Sequence, residues 1–395
     1  MARIVVLDIA ASKTGALSVL RDFYDHVLKS SRGRLKGGER DHWIFVTGGK
    51  DILSPPDDPD IEVIVREYIK ASQQARLCFE LFGGGKWVTG LEPDIVFSLE
   101  NLIPRGIKKN IRQVVYIHQP VGFQDIKKFS IIKKNEREQG IYQRFYHPLI
   151  LSSAVRSDAA IVQTEWMRRA LTDQTGINPG RVYKVSPEIP DFSDYVNRGQ
   201  FDRKRFFFPA SDLPYKNHQV IEKAKEILSD LGYSPEVMYT KDKVYPREEV
   251  LAEYNRSTLL FPSYIETYGM PLGEARQFGN PIIAADTAFA REVLEGYANG
   301  YFFDPFDAAR LAYLMRQVMD GDIIPVEPRP VDPHENSYAK VVDIIKNVIL
   351  KSAACGLCSS SYEVLFPYHA EVTAAGSGYG HTVSASIHTD HHGDL

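Results

Sequence analysis

Short apolar runs separated by amphipathic stretches recur along most of the chain, and their lengths set the fold class before any single residue does. In the first half the runs are RIVVLDI, HWIFVTG, IEVIVRE, DIVFSLE, QVVYIHQ, AAIVQTE and VYKVSP. Helical patterning starts at about Gly15, returns in a stretch through Leu81, and ends a third time near Arg156. Such runs, alternating with amphipathic helices, predict buried parallel strands in a doubly wound α/β sheet. The second half repeats this grammar with FFFPA, EVMYT, STLLFPS, NPIIAAD and NGYFFDP. Between the halves, PEIPDFSDYVNRGQFDRK has mixed charge and no periodicity, which places a linker at about Pro187 to Arg205. A chain of 395 residues is too long for one ordinary core, so two Rossmann-like domains are expected, residues 1–190 and 191–330.

Composition narrows the class. Charged residues at 25% and hydrophobic residues at 44% are ordinary for a soluble protein, and no run approaches the eighteen or so apolar residues of a membrane span. The start MARIVVLDIA passes directly into a strand without a basic leader, and Cys78, Cys355 and Cys358 form no disulfide framework, so a cytoplasmic protein is expected. A net charge of −4 gives no sign of nucleic-acid binding. The charge is uneven, however: Arg105 to Arg144 holds ten basic residues against three acids, with Phe123, Phe129, Ile131, Ile132, Tyr142 and Phe145 among them. That segment is either a surface for anionic lipid headgroups or a lipid-diphosphate acceptor, or a solvated helix face with its aromatics in the core. Residues 351–395 change character, rich in Ser, Ala, Gly and His, and read as a disordered or vector-derived tail; YEVLFP resembles a damaged protease-tag site. Cys355, Cys358, His388, His391 and His392 match no familiar zinc-finger spacing.

The chemistry concentrates in YIETYGMPLGEARQFGNPII, residues 264–283. A strand-length run precedes it and LGEARQF has helical composition, so Glu266 lies in the connecting loop and Pro271 marks the first helical position. Met270 has no side-chain oxygen to cap the first turn, which leaves its amides to an anion, and Gly269 allows close approach of a ligand to the backbone. Glu274 then reaches beyond that anion while Glu266 approaches from the loop, an arrangement suited to a molecule with a diphosphate in its middle. Lys216 follows a strand and precedes a helix, so it projects into the crevice at the carboxyl end of the sheet; His118, before Pro120, ends a strand in the same sense. Asn217 reads as the cap of the next helix. Asp58-Pro59-Asp60 has the spacing of a metal motif but sits in a Pro-rich turn. No G-x-G-x-x-G follows the first strand, which disfavours a nicotinamide dehydrogenase.

The Glu266-x7-Glu274 spacing, NPIIAAD after it and then AREVLEGYANGYFFDP resemble the C-terminal half of retaining GT-B glycosyltransferases, specifically glycosyltransferase family 4, over roughly Ile4 to Leu350. Within that family the chain looks most like bacterial enzymes that assemble capsule or O-antigen polysaccharides. The resemblance implies two Rossmann-like domains facing a cleft, and a last helix, residues 331–350, returning to the first domain. It implies transfer of a sugar from a nucleotide-diphosphate sugar of UDP type to a polysaccharide or lipid-linked oligosaccharide, with no metal required. On this reading the enzyme is peripheral on the inner face of the plasma membrane. By the same resemblance Glu266 contacts the donor sugar, Glu274 the ribose, Lys216 the diphosphate and His118 the reaction centre. Gly269, Met270, Ser211 and Tyr268 complete the donor site, and Thr14-Gly15 lines the acceptor site. The chain departs from the family twice: Ala210-Ser211-Asp212 stands where many members place a second phosphate-binding arginine, and one glycine is missing beside Gly15. A catalytically silent sugar-nucleotide-binding subunit and a GT-B sugar-nucleotide epimerase remain alternatives.

Overall fold

The computed structural model describes residues 1–11, 14–32, 40–54, 56–241, 245–328 and 337–357. All twelve apolar runs form strands. In the first domain these are β1 (Arg3–Asp8), β2 (His42–Thr47), β3 (Ile61–Val65), β4 (Ile95–Ser98), β5 (Arg112–Ile117), β6 (Ala159–Val162) and β7 (Val182–Lys184). The helices between them are α1 (Thr14–Arg32), α2 (Glu67–Lys70), α3 (Gln73–Cys78), α4 (Gly84–Thr89), α5 (Arg137–Ile141), α6 (His147–Arg156) and α7 (Glu165–Thr175). The second domain has β8 (Arg205–Phe208), α8 (His218–Asp230), β9 (Glu236–Tyr239), α9 (Arg247–Arg256), β10 (Thr258–Phe261), α10 (Met270–Ala275), β11 (Ile282–Ala285), α11 (Ala288–Val293), β12 (Gly300–Phe303) and α12 (Ala308–Asp320). Last comes α13 (Ser337–Leu357).

Every strand pair is parallel, as continuous apolar runs require when helices cover both faces of a sheet. The first sheet runs β3-β2-β1-β4-β5-β6-β7 and the second β12-β11-β10-β8-β9. Each therefore has one place where the chain reverses its direction of travel across the sheet: between β1 and β4, and between β8 and β10. Crevices outside the carboxyl ends of strands at such points are where open α/β sheets hold ligands.

Two cores fix these edges. Phe206, Phe207, Phe208, Leu260 and Ile283 fill the second, with α8 and α12 packed together over that sheet. In the first, Phe23 of α1 meets Phe97 of β4 edge-on at 5.4 Å, and Val341, Ile344 and Ile345 of α13 join the same cluster. The last helix thus packs on the first sheet, and it continues seven residues past Leu350. No helix among the described residues is long and apolar enough to cross a membrane.

Candidate active site

The turn after β8 and the loop after β10 meet at the second switch point. Pro214–Lys216 forms a single tight turn, and the Tyr264 amide donates to the Tyr215 carbonyl at 3.1 Å. This brings the Lys216 ammonium into an ion pair with Glu266, both side chains 17% exposed. Asn217 follows with φ 61°; its side chain does not cap α8 as expected but donates to the carbonyls of Pro305 (2.6 Å) and Pro262 (3.4 Å). The left-handed backbone at Asn217 turns the amide away from the free N–H groups of α8, and it ties the ends of β10 and β12 to the lysine turn instead.

The Glu266 loop is also fastened to the first domain. Thr267 O accepts from Thr164 Oγ1 at 2.8 Å and from Trp166 Nε1 at 3.3 Å. Glu292 of α11 accepts from the Glu165 and Trp166 amides at the start of α7, a favourable place for a carboxylate. Tyr264 and Ile265 pack with Val121 and Phe129 in an apolar cluster spanning both domains. Glu266 therefore sits between two anchored neighbours.

His118, three residues before Val121, lies just beyond β5. Its amide donates to Asn101 Oδ1 at 2.7 Å, and Asn101 itself is held at φ 67°. The imidazole packs edge-on to Tyr116 at 5.4 Å, and its buried Nδ1 has no hydrogen-bond partner among the described residues. Burial pushes its pKa down to about 4, so the ring is neutral at physiological pH.

Around α10, Gly269 takes the capping position with φ 85°, and Met270 is the first helical residue, one place earlier than expected. Glycine takes this left-handed cap without the steric cost that a Cβ would add. Leu272 donates to Gly269 O at 2.9 Å, so the first turn is already partly satisfied. Glu274 is buried beneath it: Arg247 grips both carboxylate oxygens (2.8 and 3.1 Å) and Tyr254 Oη donates at 2.9 Å. These groups, with Met270 and Pro271, border an open pocket of about 380 Å³, within the range typical of small-molecule sites. Tyr268 packs over Gly273 and against the second core, and Ser211 is exposed, its carbonyl bonded to His218 Nε2 at 3.0 Å. Thr14 and Gly15 begin α1, and their side chains lie outside the description.

Neither Arg247 nor Tyr254 was singled out from the sequence. Seven residues apart on α9, they lie two turns along one helix face, which is visible in sequence; their partner, 27 and 20 positions away, is not. Of the six apolar residues interleaved with the basic segment, Phe123 and Phe129 are buried in cores, while Ile132 (88%) and Phe145 (62%) are exposed. Lys127 is paired with Glu136 at 3.0 Å. Asp58-Pro59-Asp60 is a turn closed by the Asp60 amide on Asp58 Oδ1 (3.0 Å), with Arg40 on Asp60. Among the described residues, no cluster of three or more His, Cys, Asp or Glu side chains is arranged to hold a metal ion. Residues 358–395, with Cys358, His388, His391 and His392, lie outside the described residues.

Comparison with known proteins agrees with this architecture. Residues 203–339 match the family model described as Glycosyl transferases group 1. No curated protein matches the chain. Among solved structures, sucrose-phosphate synthase from Thermosynechococcus elongatus is similar with a TM-score of 0.55 at 12% identity, over 91% of this chain and 100% of that one. Anabaena Alr3699/HepE in complex with UDP and glucose gives 0.52 at 16% identity, covering 91% and 100%. The lipopolysaccharide outer core galactosyltransferase WaaB in its apo form gives 0.52 at 16%, covering 90% and 99%. Two parallel-sheet domains and the matched segment together make this a protein of GT-B fold with a glycosyl transferases group 1 domain.

Proposed function

We propose that the chain is a retaining family 4-like glycosyltransferase that moves a hexose from a UDP-type nucleotide sugar to a polysaccharide or lipid-linked oligosaccharide in bacterial surface polysaccharide synthesis. The observation that carries this reading is the Lys216–Glu266 pair at the switch point of the group 1 domain. An arriving diphosphate exchanges partners there: the ammonium turns to the phosphate oxygens, and the released carboxylate faces the sugar hydroxyls. Charge developing on the leaving phosphate is met by a cation already in place, the usual source of the largest catalytic term. Glu274 has about one of four acceptor positions left for a ribose hydroxyl. A neutral His118 donates or accepts a hydrogen bond at the reacting centre without adding positive charge. The leaving phosphate oxygen deprotonates the acceptor on the same face, so Glu266 need not be a nucleophile. Three HepE structures have UDP or UDP-glucose in their names, which supports the choice of donor class.

Transfer of labelled sugar from a panel of nucleotide sugars onto lipid-linked acceptors tests the proposal. Turnover with net retention of anomeric configuration is expected, and inversion or no transfer to any acceptor rejects it. A silent binding subunit is the second reading, favoured by the fact that both glutamates are already paired with cations; it binds UDP without turnover. The exposed Ile132 and Phe145 near Lys133, Lys134 and Arg144 support peripheral contact with anionic membrane. Sedimentation with phosphatidylglycerol vesicles is expected to capture the protein and to weaken in Ile132→Ser/Phe145→Ser; equal capture by neutral vesicles rejects the contact.

A further inference from the structure

Thr164 stands at the N-cap of α7 in extended conformation, φ −138° and ψ 159°, yet its hydroxyl bonds no amide of its own helix. A threonine there ordinarily accepts from the second or third amide of the first turn. Here the other domain supplies the cap. Glu292 of α11 receives the Glu165 amide on one oxygen (2.8 Å) and the Trp166 amide on the other (3.1 Å), and Lys184, the last residue of β7, pairs with the same carboxylate at 3.3 Å. Relieved of that duty, the fully buried Thr164 hydroxyl donates to Thr267 O at 2.8 Å. Trp166 Nε1 reaches the same oxygen at 3.3 Å, and its ring packs against the cores of both domains.

The exchange is reciprocal: the second domain caps a helix of the first, and the first ties down a carbonyl of the second. That carbonyl belongs to the residue after Glu266. Two donors fill both lone pairs of its oxygen, so the peptide between Thr267 and Tyr268 cannot turn without losing one of them. The side chain of Glu266 is held otherwise by Lys216, the cation that an arriving diphosphate draws away. Once that exchange has taken place, the backbone is what keeps the carboxylate in register with the sugar. Resting on the transferase reading above and deepening it, we propose that Thr164 and Trp166 are positioning residues for Glu266. The first domain thereby sets where a second-domain carboxylate meets the donor sugar, through the Thr267 carbonyl. Lys216 and Glu274 make no bond to this joint, so nucleotide binding is independent of it.

Initial-rate kinetics of the wild type, Thr164→Val, Trp166→Phe, the double variant and Thr164→Ser test this, run with the donor and acceptor that turn over in the transfer assay above. Calorimetric titration of UDP accompanies them, and melting curves set a temperature at which each variant is folded. Valine keeps the shape of threonine without the hydroxyl, phenylalanine keeps a ring without the N–H, and serine keeps the hydroxyl. The double variant is expected to lose about tenfold in kcat, since small misplacements of reacting groups cost at least that much, with UDP affinity unchanged. Each single variant is expected to lose less, and Thr164→Ser to turn over as the wild type does. The positioning role is overturned if the folded double variant keeps wild-type kcat, or if kcat and UDP affinity fall by the same factor, the pattern of general loosening. It is also overturned if Thr164→Ser loses as much as Thr164→Val. Should the double variant not fold, the single variants decide by the same criteria. A wild type that transfers no sugar rejects the transferase reading itself, and the positioning role with it.

Discussion

The two switch points balance their acids in opposite ways. At the second, each carboxylate has its own cation: Glu266 has Lys216 and Glu274 has Arg247. At the first, between β1 and β4, three buried carboxyls share one guanidinium. Glu100 accepts from the Ile9 and Ala10 amides and from Arg76 (3.0 Å), while Asp8 Oδ2 and Glu80 Oε2 are buried without a hydrogen-bond partner among the described residues. Burial first, and Glu100 second, push both Asp8 and Glu80 up to about 8. Protons rather than side-chain cations neutralise this edge at physiological pH. On the function proposed above, one crevice exchanges ions with a charged ligand, whereas the other is kept neutral and holds the loop at residues 8–11 in shape.

The sharpest way to break this comparison is at Lys216. Lys216→Ala is expected to lower turnover about 10²- to 10³-fold through loss of a preorganised charge; wild-type turnover removes the lysine from the mechanism. Glu274→Ala comes next. It leaves Arg247 and Tyr254 without their acceptor, which is expected to cost about 1–3 kcal/mol of stability and to raise the donor KM about tenfold. An unchanged donor KM in initial-rate kinetics ends its ribose role and leaves it purely structural.

The first switch point gives the smaller effect, read as pH dependence. Asp8 and Glu80 hold their protons to about 8 when folded but release them near 4 when unfolded. Their contribution is therefore full at low pH and is lost as pH rises through 8. His118 acts oppositely: unfolded it takes a proton below about 6.5, folded only near 4, so its contribution is lost as pH falls across that interval. Between pH 6.5 and 8 only the carboxyls act, and stability is expected to fall by about 1–2 kcal/mol for each of them. Denaturant melts of Asp8→Asn across that window are expected to show a flatter profile with an unchanged donor KM; a profile as steep as the wild type shows that Asp8 carries no such proton.

Much of this was legible from the chain. Twelve apolar runs gave twelve strands, because a strand buried on both faces must be apolar throughout and so leaves an unbroken local signal. Lys216, Glu266 and Glu274 stood out because residues that follow buried strands in an α/β fold are carried to one edge. The first domain's acids did not stand out: Asp8 sits in a strand, Glu80 in a helical turn and Glu100 in a loop, and nothing local marks them as neighbours.

The sequence by itself determined periodicity and therefore the strands, their parallel sense and the edge at which the chemistry collects. Only the tertiary structure decided the partners. Whether Glu274 is free or held by Arg247, whether Asp8 is charged or protonated, and which aromatics of the basic segment reach solvent all depend on contacts between distant positions. Coulomb energy and desolvation follow distance and burial in space, and the order of residues along a chain does not specify either.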